Sequence, residues 1–385
     1  MPCQSRLGFR LWILLLIVLL SGCENRIEPQ QAKAFAEQFA LWMTQRNLDK
    51  VRSHFNDDAL QTRIRTNISE GLVNTEVLDE LTNAYIIDLI RLVTEDDRVR
   101  FIQLIDDDKQ TRALFRVDKQ DNGRFVSVYF FEIILGFDEN ETIKIEDIFS
   151  YASGIRMSAY FAEVFSLSTR LDNANKIRVD HLLRISKADT KIESWMKSYY
   201  KLPLEVRKLK PLLQARYYRA MRSTNQKEYI QALASIAKQF EDDGDFKIVL
   251  LEYYFISRKY DQIIASLTEF NQSIGDDPAL NYLIGTAYLL KADWQSAKTY
   301  GEQAVKLDSQ YQFAYQLLFE SFLLGKQIPQ AIDMLDLLKN QFNQTLSPSL
   351  KVGWRREDLA AFYASPYYDQ WLTKKAKPAV MSEEG

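Results

Sequence analysis

The sequence predicts an α+β domain, made of helices and a four-stranded antiparallel sheet, followed by an all-α helical-repeat solenoid. Three observations lead there. Apolar residues keep a helical period up to Val93, change to a period of two at Arg100, and return to a helical period after Gly154. Near the end the whole pattern also recurs at a fixed longer interval, one of about 34 residues. Helices followed by a meander of strands make an α+β domain whose sheet packs one face on the helices. A period of roughly 20–50 residues marks stacked supersecondary units.

The 385 residues leave room for two or three domains, each with its own core. A hydrophobic fraction of 46%, with only 13 Gly and 9 Pro, describes a folded, helix-rich protein without long low-complexity linkers. The formal net charge of −3 leaves no electrostatic footprint for nucleic acid, so none is expected as a partner.

In chain order, residues 1–22 read as a secretory signal. Arg6 and Arg10 precede an apolar run from Leu11 to Leu20, too short for a bilayer span of about 20 residues. Leu20-Ser21-Gly22-Cys23 follows, and 23–30 is a polar tether. Residues 31–154 form the α+β domain. Phe35, Phe39 and Trp42 share one face of a helix over Gln31 to Asn47, a short helix follows over Leu48 to Leu60, and a third covers Glu76 to Val93. Arg100 to Ile105, Thr111 to Val117, Phe125 to Leu135 and Ile143 to Ile148 are rich in β-branched and aromatic residues. The turn formers Asp106-Asp107-Asp108, Asp121-Asn122-Gly123 and Asp138-Glu139-Asn140 separate these four strands. Residues 155–205 are connecting helices; Thr190 with Glu193 makes the capping box of one of them. Residues 206–345 are the repeats: Leu209 to Met221 and Gln226 to Phe240 form a divergent first pair, and three clearer copies occupy Gly244 to Gln344. Residues 346–373 read as closing helices and 374–385 as a polar tail.

Catalytic constellations are mostly absent, and no enzyme activity is expected. The two histidines, His54 and His181, each have an aspartate nearby in sequence, Asp57 and Asp180, but no nucleophile to complete a triad. There is no phosphate loop, nucleophile elbow, dinucleotide fingerprint or His-Glu-x-x-His pair. Asp106-Asp107-Asp108 lacks the alternating carboxylates and central Gly of a calcium loop and reads as a solvated turn, so neither metal nor cofactor is expected. Removal of Cys3 with the signal leaves one cysteine, which excludes intrachain disulfides and thiolate metal sites in the mature chain.

The ending Leu20-Ser21-Gly22-Cys23 resembles the lipobox of bacterial lipoproteins. That resemblance implies cleavage before Cys23, diacylglycerol on its thiol and stable attachment to the membrane of a Gram-negative envelope, facing the periplasm. In enterobacterial lipoproteins an Asp after the cysteine tends to retain the protein at the inner membrane, so Glu24 leans towards the outer membrane. The order of elements in 31–154 resembles the α+β rolls of the nuclear-transport-factor-like and cystatin-like folds. Such rolls often enclose a pocket between sheet and helix, here lined by Trp42, Phe115, Tyr129 and Phe131. Two readings stay open for these aromatics, a ligand-binding or enzymatic pocket supported by the repeats, or the domain's own core.

Pro278 to Gln310 carries Ile284-Gly285, Tyr288, Ala297 and Ala304 at the spacing of the tetratricopeptide repeat, and this region resembles that family. One period back lie Leu250, Tyr254, Tyr260 and Leu267; one period forward lie Leu318, Phe322, Ala331 and Leu335. The resemblance implies antiparallel helix pairs with a groove lined by the first helices, and a role as a protein-binding scaffold or assembly factor. Carried onto this sequence, the groove positions are Ile248, Glu252, Phe255 and Ile256 in the first copy. Tyr282, Thr286, Leu289 and Leu290 follow in the second, and Gln316, Glu320, Leu323 and Leu324 in the third. The Lys, Arg and Asn that clamp a peptide carboxylate in some members are missing, which leaves an apolar, somewhat acidic groove. Either a partner's amphipathic segment fills it, or the chain's own closing helices do, with Phe362, Tyr367 and Trp371 as plugs.

Overall fold

The computed structural model describes residues 26–68, 75–91, 93–106, 110–121, 124–185, 192–221, 223, 225–240, 248–343 and 356–376. The lipobox with Cys23, Asp107-Asp108, Asn122-Gly123, Thr190, Gly244 and the polar tail from 377 on lie outside them. The chain divides into two compact units. The first takes in the residues up to Lys119 and Tyr129–Lys176, and the second Gln120–Val128 and everything from Ile177 onward. The architecture is mixed α+β, with one five-stranded antiparallel sheet followed by many helices.

The first unit opens with α1 (Pro29–Thr44), which begins with Pro at its first turn, where a missing N–H costs nothing. Ala32, Ala36, Phe39, Ala40 and Met43 are its buried face. The alanines let the helix lie close along β1 (Arg98–Asp106), and Phe39 packs its ring on Phe115 at 5.2 Å. The single helix expected over Leu48 to Leu60 is in fact two, α2 (Leu48–Ser53) and α3 (Asp57–Arg65). Between them the backbone leaves the helix to pair with β4 (Ile143–Ser150): Ile145 N–H donates to the His54 carbonyl at 2.7 Å, and Asn56 N–H to that of Ile145 at 2.8 Å. The Asn56 side chain then caps α3 by accepting from Ala59 N–H. Helix α4 (Thr75–Arg91) completes the layer.

The strands β1, β2 (Thr111–Asp121), β3 (Arg124–Phe137), β4 and β5 (Ile155–Arg156) pair in sequence order. Five strands replace the four expected. Two residues are too few to show an alternating pattern, and the turn Tyr151 to Gly154, closed by Gly154 at φ 64°, reads in sequence as the end of the sheet rather than a hairpin into β5. Ala113, Phe115 and Val117 of β2 enter the core with Phe131, Ile133 and Leu135 of β3. Their neighbours Leu114, Arg116, Asp118, Phe130, Glu132 and Ile134 are buried too. The buried charges there are paired: Arg116 with Asp118 at 2.8 Å, and Arg112 with Glu132 at 2.8 Å, where the Tyr151 hydroxyl also donates to Glu132.

A register shift in the β3–β4 pairing leaves Glu146 as an extra residue. Ile145 and Ile148 therefore both reach the core although three residues apart, and Asp147 is turned to the start of α5 (Met157–Arg170). Its carboxylate accepts from Ser158 N–H at 3.1 Å and Ser158 Oγ–H at 2.5 Å, capping a helix whose own N-cap residue, Arg156, offers no side-chain bond. Burial raises the Asp147 carboxyl above its ordinary range, against the lowering effect of the Ser158 and Ile148 bonds and of Arg63. A raised folded-state value means that its contribution to stability is full below the unfolded value of about 3.9 and is lost as pH rises through the folded value. The stability difference between the native chain and Asp147→Asn should therefore fall as pH rises from about 3 towards 7, as measured by urea unfolding at each pH. A difference that grows with pH would show the opposite sign.

The second unit contains α6 (Asn173–Ile185, of which Ile177 onward belongs here), α7 (Ile192–Tyr199), α8 (Leu204–Arg207) and then helix pairs. These are α9 (Lys210–Met221) with α10 (Gln226–Phe240), α11 (Leu250–Ile256) with α12 (Tyr260–Ser273), α13 (Pro278–Leu290) with α14 (Trp294–Leu307), and α15 (Gln312–Leu324) with α16 (Ile328–Phe342). The turns inside the last three pairs repeat in backbone detail. Arg258, Ala292 and Lys326, spaced one repeat period apart, all take positive φ, at 55°, 61° and 58°. The following N–H of Lys259, Asp293 and Gln327 donates back to the carbonyl of Tyr254, Tyr288 and Phe322. Gly285 leaves α13 close to two neighbours: a Cβ there would lie 2.4 Å from Leu317 Cδ2 on α15 and 3.2 Å from the Ala297 carbonyl oxygen on α14. Helices α17 (Arg356–Tyr363) and α18 (Pro366–Ala376) close the unit by packing on α15 and α16.

Candidate functional site

The predicted groove positions fall into three groups. Along the middle of the first helices, Glu252 is exposed and accepts a 2.7 Å hydrogen bond from the Tyr217 hydroxyl, while Thr286 and Glu320 are half-buried. Thr286 Oγ1–H turns inward and donates to the Tyr282 carbonyl at 2.8 Å. Ile248 and Gln316 are also half-buried.

Tyr282 belongs to the packing rather than to an open surface. Its ring lies 6.0 Å from Phe313 and 6.4 Å from Tyr311, beside a cluster of Ala279, Ala304 and Ala314 on which Val128 also rests. Burial and the nearby Glu320 carboxylate push its hydroxyl far above the ordinary tyrosine range, so it stays neutral.

The third group is the apolar ledge at the carboxyl ends of the first helices. Phe255 is 44% and Ile256 40% exposed, and Leu289, Leu290 and Leu324 are half-buried. Leu323, at the position equivalent to Phe255 and Leu289, is 1% exposed and sits in a cluster with Phe319, Leu335, Leu338 and Phe362. The closing helix thus packs beside Leu323, while Phe255 and Ile256 stay exposed. Of the three expected plugs, Phe362 is fully buried and Trp371 Nε1–H donates to Asp336 Oδ1, but Tyr367 is 49% exposed. Tyr368 replaces it, with its ring 5.1 Å from Phe362 and 5.6 Å from Trp371. The aromatic run left a plug as one of two readings; the rotation of α18 decides which tyrosine packs on Phe362.

In the first unit the aromatic quartet belongs to one hydrophobic core. Phe115 and Phe131 are buried and stack at 5.0 Å, Tyr129 and Trp42 both pack at the edge of the same core, and Trp42 also meets His54, 4.3 Å away, and Phe35. The His54 Nδ1–H donates to the Lys50 carbonyl at 2.7 Å, and Asp57 is occupied by Arg52 at 2.8 Å, so no His and Asp dyad forms there. His181 is exposed on α6. Among the described residues no three His, Cys, Asp or Glu side chains are placed to hold a metal ion, and no helix is long and apolar enough to cross a membrane. The sequence reading missed Asp147 and the ion-paired Arg216, because their partners are distant in sequence or lie on another element. No protein-family model, curated protein or solved structure matches the chain.

Proposed function

We propose that this chain is a lipoprotein anchored through Cys23 at the periplasmic face of a Gram-negative envelope membrane, the outer membrane in preference to the inner. Its tetratricopeptide-like helix pairs bind a protein partner as a scaffold or assembly factor. The observation that carries the binding role is the open ledge of Phe255 and Ile256 on helix pairs whose turns recur, once per repeat, in backbone conformation. Large exposed apolar side chains in register on rigid helices suit an amphipathic partner segment, which would bury them. Leu323, closed over by the chain's own cap, serves as the internal contrast.

A photo-crosslinking amino acid placed at Phe255 in living cells should give a discrete adduct of higher mass. The same residue placed at Leu323 should give none, and adding Leu289→Glu to the Phe255 probe should weaken the adduct several-fold. Equal adducts at both positions, or none at Phe255, would count against the ledge as the binding surface.

A further inference from the structure

The amino-terminal tether is shorter than its polar composition suggests. Ile27 is 5% exposed and forms part of the first unit's hydrophobic core with Ala32, Ala36 and Phe39, and α1 begins at Pro29. The chain is therefore pinned to the folded unit at Ile27, not at Gln31. From Cys23 to Ile27 there are four Cα-to-Cα steps, which span at most roughly 14 Å when fully extended. A flexible spacer of about 20 residues would instead have an r.m.s. reach of about 25 Å and would leave the unit free to turn over the bilayer.

We propose that the face of the first unit around the amino end of α1, with Arg26, Glu28, Gln30 and Lys33 exposed on it, lies against the lipid headgroups of the leaflet that holds the anchor. This rests on acylation of Cys23, as proposed above. The first unit then acts as a membrane-apposed base with a restricted orientation, and whatever engages it does so at the bilayer surface. Arg26 and Lys33 alternate with Glu28 and Glu37, so the contact is set by tether length rather than by attraction to anionic lipid.

The mature chain has no cysteine besides Cys23, so Gln30→Cys gives one labelling site in the full-length lipidated protein. The probe is a fluorophore at that site, read by energy transfer to acceptor headgroups in phosphatidylethanolamine and phosphatidylglycerol vesicles. Transfer should be strong with the native tether and should fall several-fold when a Gly/Ser segment of about 20 residues is inserted between Glu24 and Asn25. Equal transfer with and without the insertion, or weak transfer in both, would overturn the apposition while leaving the lipoprotein reading intact. A chain that fails to enter the detergent phase or the vesicles would overturn both.

Discussion

Replacing Arg216 by methionine should destabilise the second unit by about 3–5 kcal/mol, because it strands a buried carboxylate. The Arg216 side chain is 8% exposed and that of its partner Glu228 11%. Its Nε–H donates to Glu228 at 2.7 Å, Nη1–H to Ser235 Oγ at 3.0 Å and Nη2–H to the Tyr200 hydroxyl at 3.1 Å. The guanidinium also lies over the Tyr199 ring, 5.6 Å from its centre, and Tyr199 stacks on Trp195. One side chain thus joins α7, α9 and α10, ahead of the helix pairs that follow. Lysine at the same place would keep the charge but lose the planar fork, so it should rescue little. The double replacement Arg216→Met with Glu228→Leu should recover much of the loss, since two apolar side chains leave no stranded charge. Urea unfolding followed by near-ultraviolet circular dichroism, which reports the Trp195 and Tyr199 environment, measures all three. Single and double variants of equal stability would show that the pair is not what is lost.

Phe362→Ala should release the closing helices. The ring is fully buried, 5.9 Å from Phe319 and 5.1 Å from Tyr368, and removing such a group costs about 3–5 kcal/mol. Helices α17 and α18 have 8 and 11 residues, below the length of about 12–15 at which an isolated helix begins to hold in water, so packing is what keeps them folded. Once they detach, Phe319, Leu335 and Leu338 are uncovered on the end of the last pair. Limited proteolysis should then cut within 344–376 much faster than in the native chain, and sedimentation should show self-association through the exposed end. Tyr367→Ala, at a residue that is 49% exposed, should change neither. A Phe362→Ala chain that stays resistant and monomeric would mean that the Trp371 to Asp336 bond holds the cap by itself.

Much of the helical unit was legible because its contacts recur. An aromatic side chain returns at Tyr254, Tyr288 and Phe322, and the backbone recurs with it: Arg258, Ala292 and Lys326 turn alike, although none is the glycine that a positive φ usually selects. The first unit was legible in its order of helices and strands. It was not legible where a local irregularity changes the register, as at Glu146, or where an element is too short for a period, as in β5. The candidate site was half visible. Spacing located the row of Phe255, Leu289 and Leu323 and left open whether a partner or the closing helices would cover it; packing places Phe362 beside its last member.

By itself the sequence located the change from helix to strand near Arg100, the later return to helix and the succession of the helices that follow. All of these are carried by residues within one element or one repeat, where side-chain period and turn chemistry act over a few positions. Only the tertiary structure decided that Leu323 is closed and Phe255 open, that Tyr368 rather than Tyr367 supports Phe362, that Asp147 caps α5, and that Arg216 finds Glu228. Each of those depends on the rotation of one packed element against another. That rotation is set by close packing of whole surfaces, to which no short stretch of sequence holds the key.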